Sequence, residues 1–343
     1  MPGIPAGDRT GLRARAWALP CALALWLTGC GGGGSGVAAT PPPTTPPTTP
    51  PTTPSATPSA TLSASVSSLA LSVDDPASNA ALTGNPRIIT VTNTGSVTAT
   101  DVTVGVAPAL PSGTTVASNC TNLPASASCT ITVTPGATPS APAGVLAPAV
   151  PLATIAASNG NSLTVPIQVL GYGSVYQGGY VFAIDDTTPD TGSVGGTVAA
   201  LGDASAALGW GGLGTITAAN SLSNGQANTA TILTVLGLGS ANDAAAACTQ
   251  PDQGYSDWYM PAICEMDGTA LGCPASAQSM RSNLVDNGNV GALAGNYWSS
   301  TEYSGDPTFL AWVEHLAGGG ASTQTAFNKG LALRVRCVRK LTP

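Results

Sequence analysis

The chain has 343 residues, enough for two ordinary domains with tails. Only 8% of them are charged, so surface polarity rests on Ser, Thr, Asn and backbone, a mix that suits exported β-proteins better than cytosolic enzymes. A formal net charge of −7 argues against a nucleic-acid partner, and a single histidine, His315, rules out a histidine metal cluster.

The first 29 residues read as a secretory leader. Arg9, Arg13 and Arg15 precede the apolar run 16–28, which is 13 residues long and too short to span a bilayer. The run ends in Leu27-Thr28-Gly29-Cys30. This resembles a bacterial lipobox, whose cysteine is acylated and becomes the first mature residue. Lipidation at Cys30 implies a membrane partner through acyl chains. Gly31 rather than Asp at the next position favours the outer membrane, with the protein facing the cell surface.

Residues 30–60 carry Gly and then a Thr/Pro repeat with no set of apolar residues able to form a core. The expectation is a disordered, extended linker, in which 20 polyproline-like positions reach roughly 60 Å.

Residues 61–170 contain short β-branched runs, RIITVTN, TDVTVGV, CTITVTP and SLTVPIQVL, broken by Gly, Pro, Asn and Ser. They predict an all-β sandwich and resemble bacterial immunoglobulin-like repeats, with the role of a spacer. Asp74-Asp75 reads as a solvated turn.

The third segment, 171–343, should open on a strand at GGYVFAIDD, with Tyr180, Phe182 and Ile184 on one face. Asp185, Asp186 and Asp190 lack the spacing of a calcium loop, so neither metal nor cofactor is expected. Helices are predicted over 228–236, 242–248 and 274–285. Strands are predicted over 297–302, 311–316 and 331–339, the last placing Leu333, Val335 and Cys337 inward and Arg334 and Arg336 outward. Its motifs, Trp258-x-x-Pro261, the YWSSTE of 297–302, the AWVEHL of 311–316 and the closing VRCVR, resemble the C-terminal domain family of the Legionella collagen-like protein. That resemblance implies an α+β C-type-lectin-like fold and a surface adhesin for sulfated glycans. The chain as a whole is thus expected to be multidomain, an immunoglobulin-like sandwich followed by a lectin-like head.

Six cysteines remain after Cys21 and Cys30 are set aside, and export favours their oxidation. Cys120 and Cys129 form one local pair. The other four allow three connectivities, and the chosen one is Cys264–Cys273 with Cys248–Cys337.

Trp298, Tyr303 and Trp312 are the candidate stacking residues of a glycan or other cell-surface ligand site. Lys329, Arg334 and Arg336 are its candidate anion contacts, within the only basic cluster of the chain from Cys30 onward. From that point the chain carries seven basic and sixteen acidic residues, an unusual setting for a polyanion site. The function expected is adhesion or ligand binding rather than catalysis. The alternatives are a structural envelope protein without a glycan ligand, or a hydrolase using Glu302 and Glu314 as paired carboxylates. Cys30→Ser should abolish labelled-palmitate uptake and move the protein out of the membrane fraction. A serine variant that still fractionates with membranes, beside a wild type that takes up no palmitate, refutes the anchor.

Overall fold

The computed structural model describes residues 59–343 except 238–242, 270–271, 289 and 318–321, so the leader, Cys30 and nearly all of the linker lie outside the described residues. The described residues belong to one compact unit, Ala56–Pro343, built mostly from β-strands. Among them no helix is long and apolar enough to cross a membrane.

The first eight strands are β1 (Leu62–Ala64), β2 (Leu69–Ser72), β3 (Arg87–Asn93), β4 (Thr103–Ala107), β5 (Thr115–Ser118), β6 (Ser128–Thr134), β7 (Leu152–Ala156) and β8 (Ser162–Leu170). They form two four-stranded sheets, ordered β1-β3-β6-β5 and β2-β8-β7-β4. The reason is written in the alternation. In RIITVTN and SCTITVT every second side chain is buried, because successive residues of a strand face opposite sides. Ile89, Val91, Ile131, Val133, Ile155, Val165 and Ile167 meet between the sheets. The Cys120–Cys129 disulfide closes the β5–β6 connection. Asp74 and Asp75 occupy a turn, where the Asp75 carboxylate accepts from the Ser78 N–H.

The remaining strands are β9 (Val175–Tyr176), β10 (Gly179–Asp185), β11 (Gly195–Ala200), β12 (Ser205–Leu208), β13 (Gly295–Glu302), β14 (Leu310–Leu316), β15 (Thr323–Asn328), β16 (Leu333–Val335) and β17 (Val338–Lys340). They build sheets ordered β17-β11-β10-β9 and β12-β16-β13-β14-β15. Three helices accompany them: α1 (Gly225–Leu236), α2 (Ala244–Ala247) and α3 (Ile263–Met266). α1 starts one turn earlier than expected. Its N-cap is Asn224, which accepts from the Ala227 N–H at 3.0 Å. Asn228, the expected cap, is buried and bonded to both backbone groups of Ser221. The expected start of α2, Asn242, lies outside the described residues. The helix predicted over 274–285 is reduced to a single π-helical turn, Arg281–Val285.

Two local corrections follow from backbone irregularity. A register shift between Val181 and Ala183 in β10 breaks the alternation, so Tyr180 and Phe182 enter one core cluster while Val181 and Ile184 enter another. The closing strand breaks after Val335. β16 belongs to one sheet and β17 to the other, and the chain turns between them. Arg336, expected outward, is therefore 3% exposed. Cys248–Cys337 ties that crossing point to the end of α2, and Cys264–Cys273 closes the loop after α3.

The sandwich and the second half are fused rather than strung together. Ala70, Val73, Leu82, Val169 and Leu170 share one core with Val181, Ile184, Val194 and Trp210. Backbone bonds cross from Ile88 N–H to the Asp190 carbonyl at 2.7 Å and from Val194 N–H to the Ala70 carbonyl at 3.0 Å. At the seam Arg87 and Asp186 pair at 2.5 Å, each about 1–2% exposed. Asp186 also accepts from the Thr83 hydroxyl and the Asn85 N–H, and the second guanidinium nitrogen of Arg87 reaches the Pro189 carbonyl at 2.8 Å. The acid raised as a calcium ligand is thus spent on the seam. Removing one partner strands a buried charge, so Asp186→Asn should cost about 3–5 kcal/mol, whereas replacing both partners with apolar residues should cost less than either single change. Denaturant melts of the two single variants and the double variant check this, and a strictly additive double variant contradicts it.

Candidate functional site

The basic cluster does not form an anion-binding face. Arg334 and Arg336 converge on one carboxylate, Asp203, at 2.9 and 2.7 Å, with the Arg334 side chain 45% and the Arg336 side chain 4% exposed. Arg336 donates further to the Ala200 and Gly291 carbonyls. Their shared partner is a loop residue between β11 and β12. Lys329 is fully buried. Its ammonium donates to Glu302 at 2.6 Å and to the Thr215 and Pro307 carbonyls at 2.9 and 2.7 Å, which exhausts its three protons. It also lies 4.5 Å over the Trp210 ring.

The candidate aromatics divide. Trp298 is fully buried and its indole donates to the Leu208 carbonyl at 2.9 Å, so it serves the core. Tyr303 and Trp312 are half-buried and pack edge to face, with ring centroids 5.0 Å apart.

Glu302 and Glu314 are not a matched carboxylate pair. Glu302 sits opposite Ala311 and Glu314 opposite Tyr297 in the β13–β14 register, so three residues of β14, roughly 10 Å, separate their levels. Glu302 is saturated: besides Lys329 it accepts from the Thr217 and Ala218 N–H groups at 2.7 and 2.8 Å. Glu314 is the opposite case. It is fully buried and neither carboxyl oxygen has a hydrogen-bond partner among the described residues. Burial, and then the neighbouring Asp267 charge, push its pKa up to about 8, with Gln324 and Arg281 acting in the other direction.

Glu314 lies behind the wall of a cleft. Trp312, Gln324 and Thr323 come from the β14–β15 face, Asp267 and Thr269 from the loop after α3, and Arg281 from the π-helical turn. The space measures about 260 Å³. Arg281 donates to Asp267 at 2.6 Å and to the Thr269 hydroxyl at 3.0 Å, while the Thr269 N–H and hydroxyl both donate to the second Asp267 oxygen. The Gln324 amide donates to the Asp267 carbonyl at 3.3 Å. A rigid polar rim thus surrounds an indole, an arrangement suited to a small polyhydroxylated or amino-bearing group. Sequence reasoning reached Trp312 and Glu314. It missed Asp267, Arg281 and Gln324, which come from a loop, a shortened helix and a strand, β15, that it did not place. A larger cleft of about 580 Å³ borders Asp203, Gln250, Asp252 and Trp258, beside the Cys248–Cys337 disulfide.

No protein-family model matches the chain, and no curated protein matches it. Among solved structures it is similar to domains 4 and 5 of the S-layer protein SbsC, at 15% identity and a TM-score of 0.23 over 34% of this chain and 54% of that one. It is also similar to the S-layer protein rSbsC(31-844), at 16% identity and a TM-score of 0.24 over 35% of this chain and 14% of that one. The chain thus spans about half of the first structure and about a seventh of the second. At these scores neither likeness carries an argument about function.

The raised Glu314 pKa has a definite stability signature. The unfolded carboxyl releases its proton near 4.5, while the folded one keeps it to about 8. Stability attributable to this group is therefore full below about pH 4.5 and falls as pH rises toward 8, by at most roughly 5 kcal/mol. Glu314→Gln removes that loss. Melts from pH 5 to pH 8 should show the variant gaining on the wild type as pH rises, and parallel curves contradict a neutral buried acid.

Proposed function

We propose that the protein is a lipid-anchored cell-surface protein whose C-terminal half, a C-type-lectin-like head, binds an extracellular glycan through the Trp312 cleft. The immunoglobulin-like sandwich is its fixed pedestal, and the Thr/Pro linker carries both away from an outer membrane. The observation that carries the reading is the cleft itself: a half-buried indole braced by Tyr303, ringed by the preset hydrogen-bonding groups of Asp267, Thr269, Arg281 and Gln324. Aromatic stacking with a few fixed polar groups is the chemistry that sugar rings require.

The leader, the three disulfides and the low charge content support export. The shared core between sandwich and head supports display, since a fused pedestal holds the cleft at a fixed angle.

A glycan array probed with the mature chain and with Trp312→Ala tests the reading. Loss of a stacked ring costs roughly 1–3 kcal/mol, so the variant should bind its best glycan about 5- to 150-fold more weakly while staying folded at the assay temperature. An array blank with folded wild-type protein, or equal binding by the variant, refutes the cleft and leaves the structural envelope role.

A further inference from the structure

Behind the wall of the cleft, next to Trp312 and Gln324 of its lining, sits a buried carboxyl without a cation of its own. Every basic residue from Cys30 onward has a carboxylate partner: Arg87 with Asp186, Arg281 with Asp267, Lys329 with Glu302, Arg334 and Arg336 with Asp203, Arg339 with Asp257, and Lys340 with Glu265. Glu314 has none, although it is fully buried; the Gln324 side chain is the donor that acts on its carboxyl, and neither oxygen receives a hydrogen bond of good geometry among the described residues. A buried polar group left unpaired is costly, so its presence asks for a partner that arrives from outside.

The position of Glu314 says where that partner comes from. Trp312 and Glu314 are two residues apart on β14 and share a face. Gln324 is directly opposite Glu314 in the β14–β15 register, so it projects from the same face and itself lines the cleft. The Gln324 amide nitrogen is engaged by the Asp267 carbonyl, while its oxygen accepts nothing among the described residues. The unspent acceptors are therefore the two Glu314 oxygens and the Gln324 oxygen, with the Trp312 ring beside them.

We propose that Glu314 and the Gln324 oxygen anchor a primary ammonium group, so that the glycan taken by the Trp312 cleft is an amino sugar with a free amine. This rests on the glycan reading of the cleft and narrows it. An ammonium has three donors, which matches three free acceptors, and its charge is attracted by the indole face. Calcium requires six to eight oxygens, and both Asp267 oxygens are already taken by Thr269 and Arg281. A sulfate or carboxylate would meet Asp267 and Glu314 in a site whose only cation, Arg281, is held by Asp267 and faces Asp286. Around Glu314 the charged groups are Asp267 at the end of α3 and Arg281 on the π-helical turn; Tyr297, across on β13, directs its phenol toward Asp203. Docking converts the Glu314 carboxylic acid to a carboxylate: a ligand that arrives as an ammonium sends the acid's proton to the buffer, whereas one that arrives as a free amine takes that proton itself and releases none.

Isothermal titration of the mature chain at pH 7 tests this with a tetramer of β-1,4-linked glucosamine and its fully N-acetylated counterpart. Running it in two buffers of different ionisation enthalpy counts the protons released. The free-amine tetramer should bind at least about tenfold more tightly, as a charge-assisted contact implies, and should release protons to the extent that its amine arrives protonated. Glu314→Gln should erase both the preference and the proton. Gln324→Met, at a partly exposed position, should weaken the preference without touching the core. Equal binding of the two tetramers, lost in Trp312→Ala, overturns the ammonium site and leaves the cleft standing. So does silence of both tetramers when the array gives a neutral glycan that depends on Trp312. A preference that survives Glu314→Gln places the amine elsewhere and overturns the assignment. Failure of the cleft itself would show separately, as binding indifferent to Trp312.

Discussion

The interaction on which the second half depends is the buried ion pair of Lys329 and Glu302. A lone buried ammonium or carboxylate is untenable, and even a pair is held only when the remaining protons and lone pairs are matched. Here they are. Glu302 takes two backbone N–H groups from the segment before α1, and Lys329 takes one carbonyl from that segment and one from the turn before β14. Trp210 closes the ammonium from above and anchors its own N–H on the Ser299 carbonyl. One pair thus fixes three irregular connections against β13. Those connections have few apolar side chains of their own and no regular ladder, so polar matching substitutes for a core.

The same logic explains why so sparse a set of charges leaves no basic face. In a chain with few cations each one is drawn to a structural acid, and Asp203 gathers two arginines at the crossing between two sheets. Arg339 does likewise at the other end of that crossing, paired with Asp257 at 2.7 Å and stacked 3.8 Å from the Tyr255 ring. Only Arg334 and Lys340 keep about half of their side-chain surface in water. A polyanion would have to pull these two side chains from Asp203 and Glu265.

What the sequence revealed follows a physical division. The sandwich strands were legible because each has one buried and one open face, which writes a period of two into the residues. The disulfides were legible because short loops leave few connectivities. In the second half, strands such as β10 and β13 are buried on both faces, and periodicity is lost. β15 was missed because the four inner residues of TQTAFN are all half-buried and offer no alternation. The outward placement of Arg336 failed because a two-sheet crossing is a tertiary event with no local signature. Trp298 and Lys329 looked like ligand contacts because aromatic and basic residues are the currency of both binding and buried polar cores, and only packing distinguishes the two.

Glu314 sits on the other side of that distinction. Glu302, Asp186 and Asp267 all entered the interior together with their cations, so their burial is part of how the chain folds. Glu314 entered alone, on β14, beside Trp312 and Gln324 of the cleft lining. Folding by itself gives no reason for a carboxyl there. Gln at the same position would fill nearly the same volume without a raised pKa, and an apolar residue would pack without an unmatched polar group. A residue that weakens the fold as pH rises, and lies beside the one half-exposed tryptophan of the β14 face, fits a site better than it fits a core.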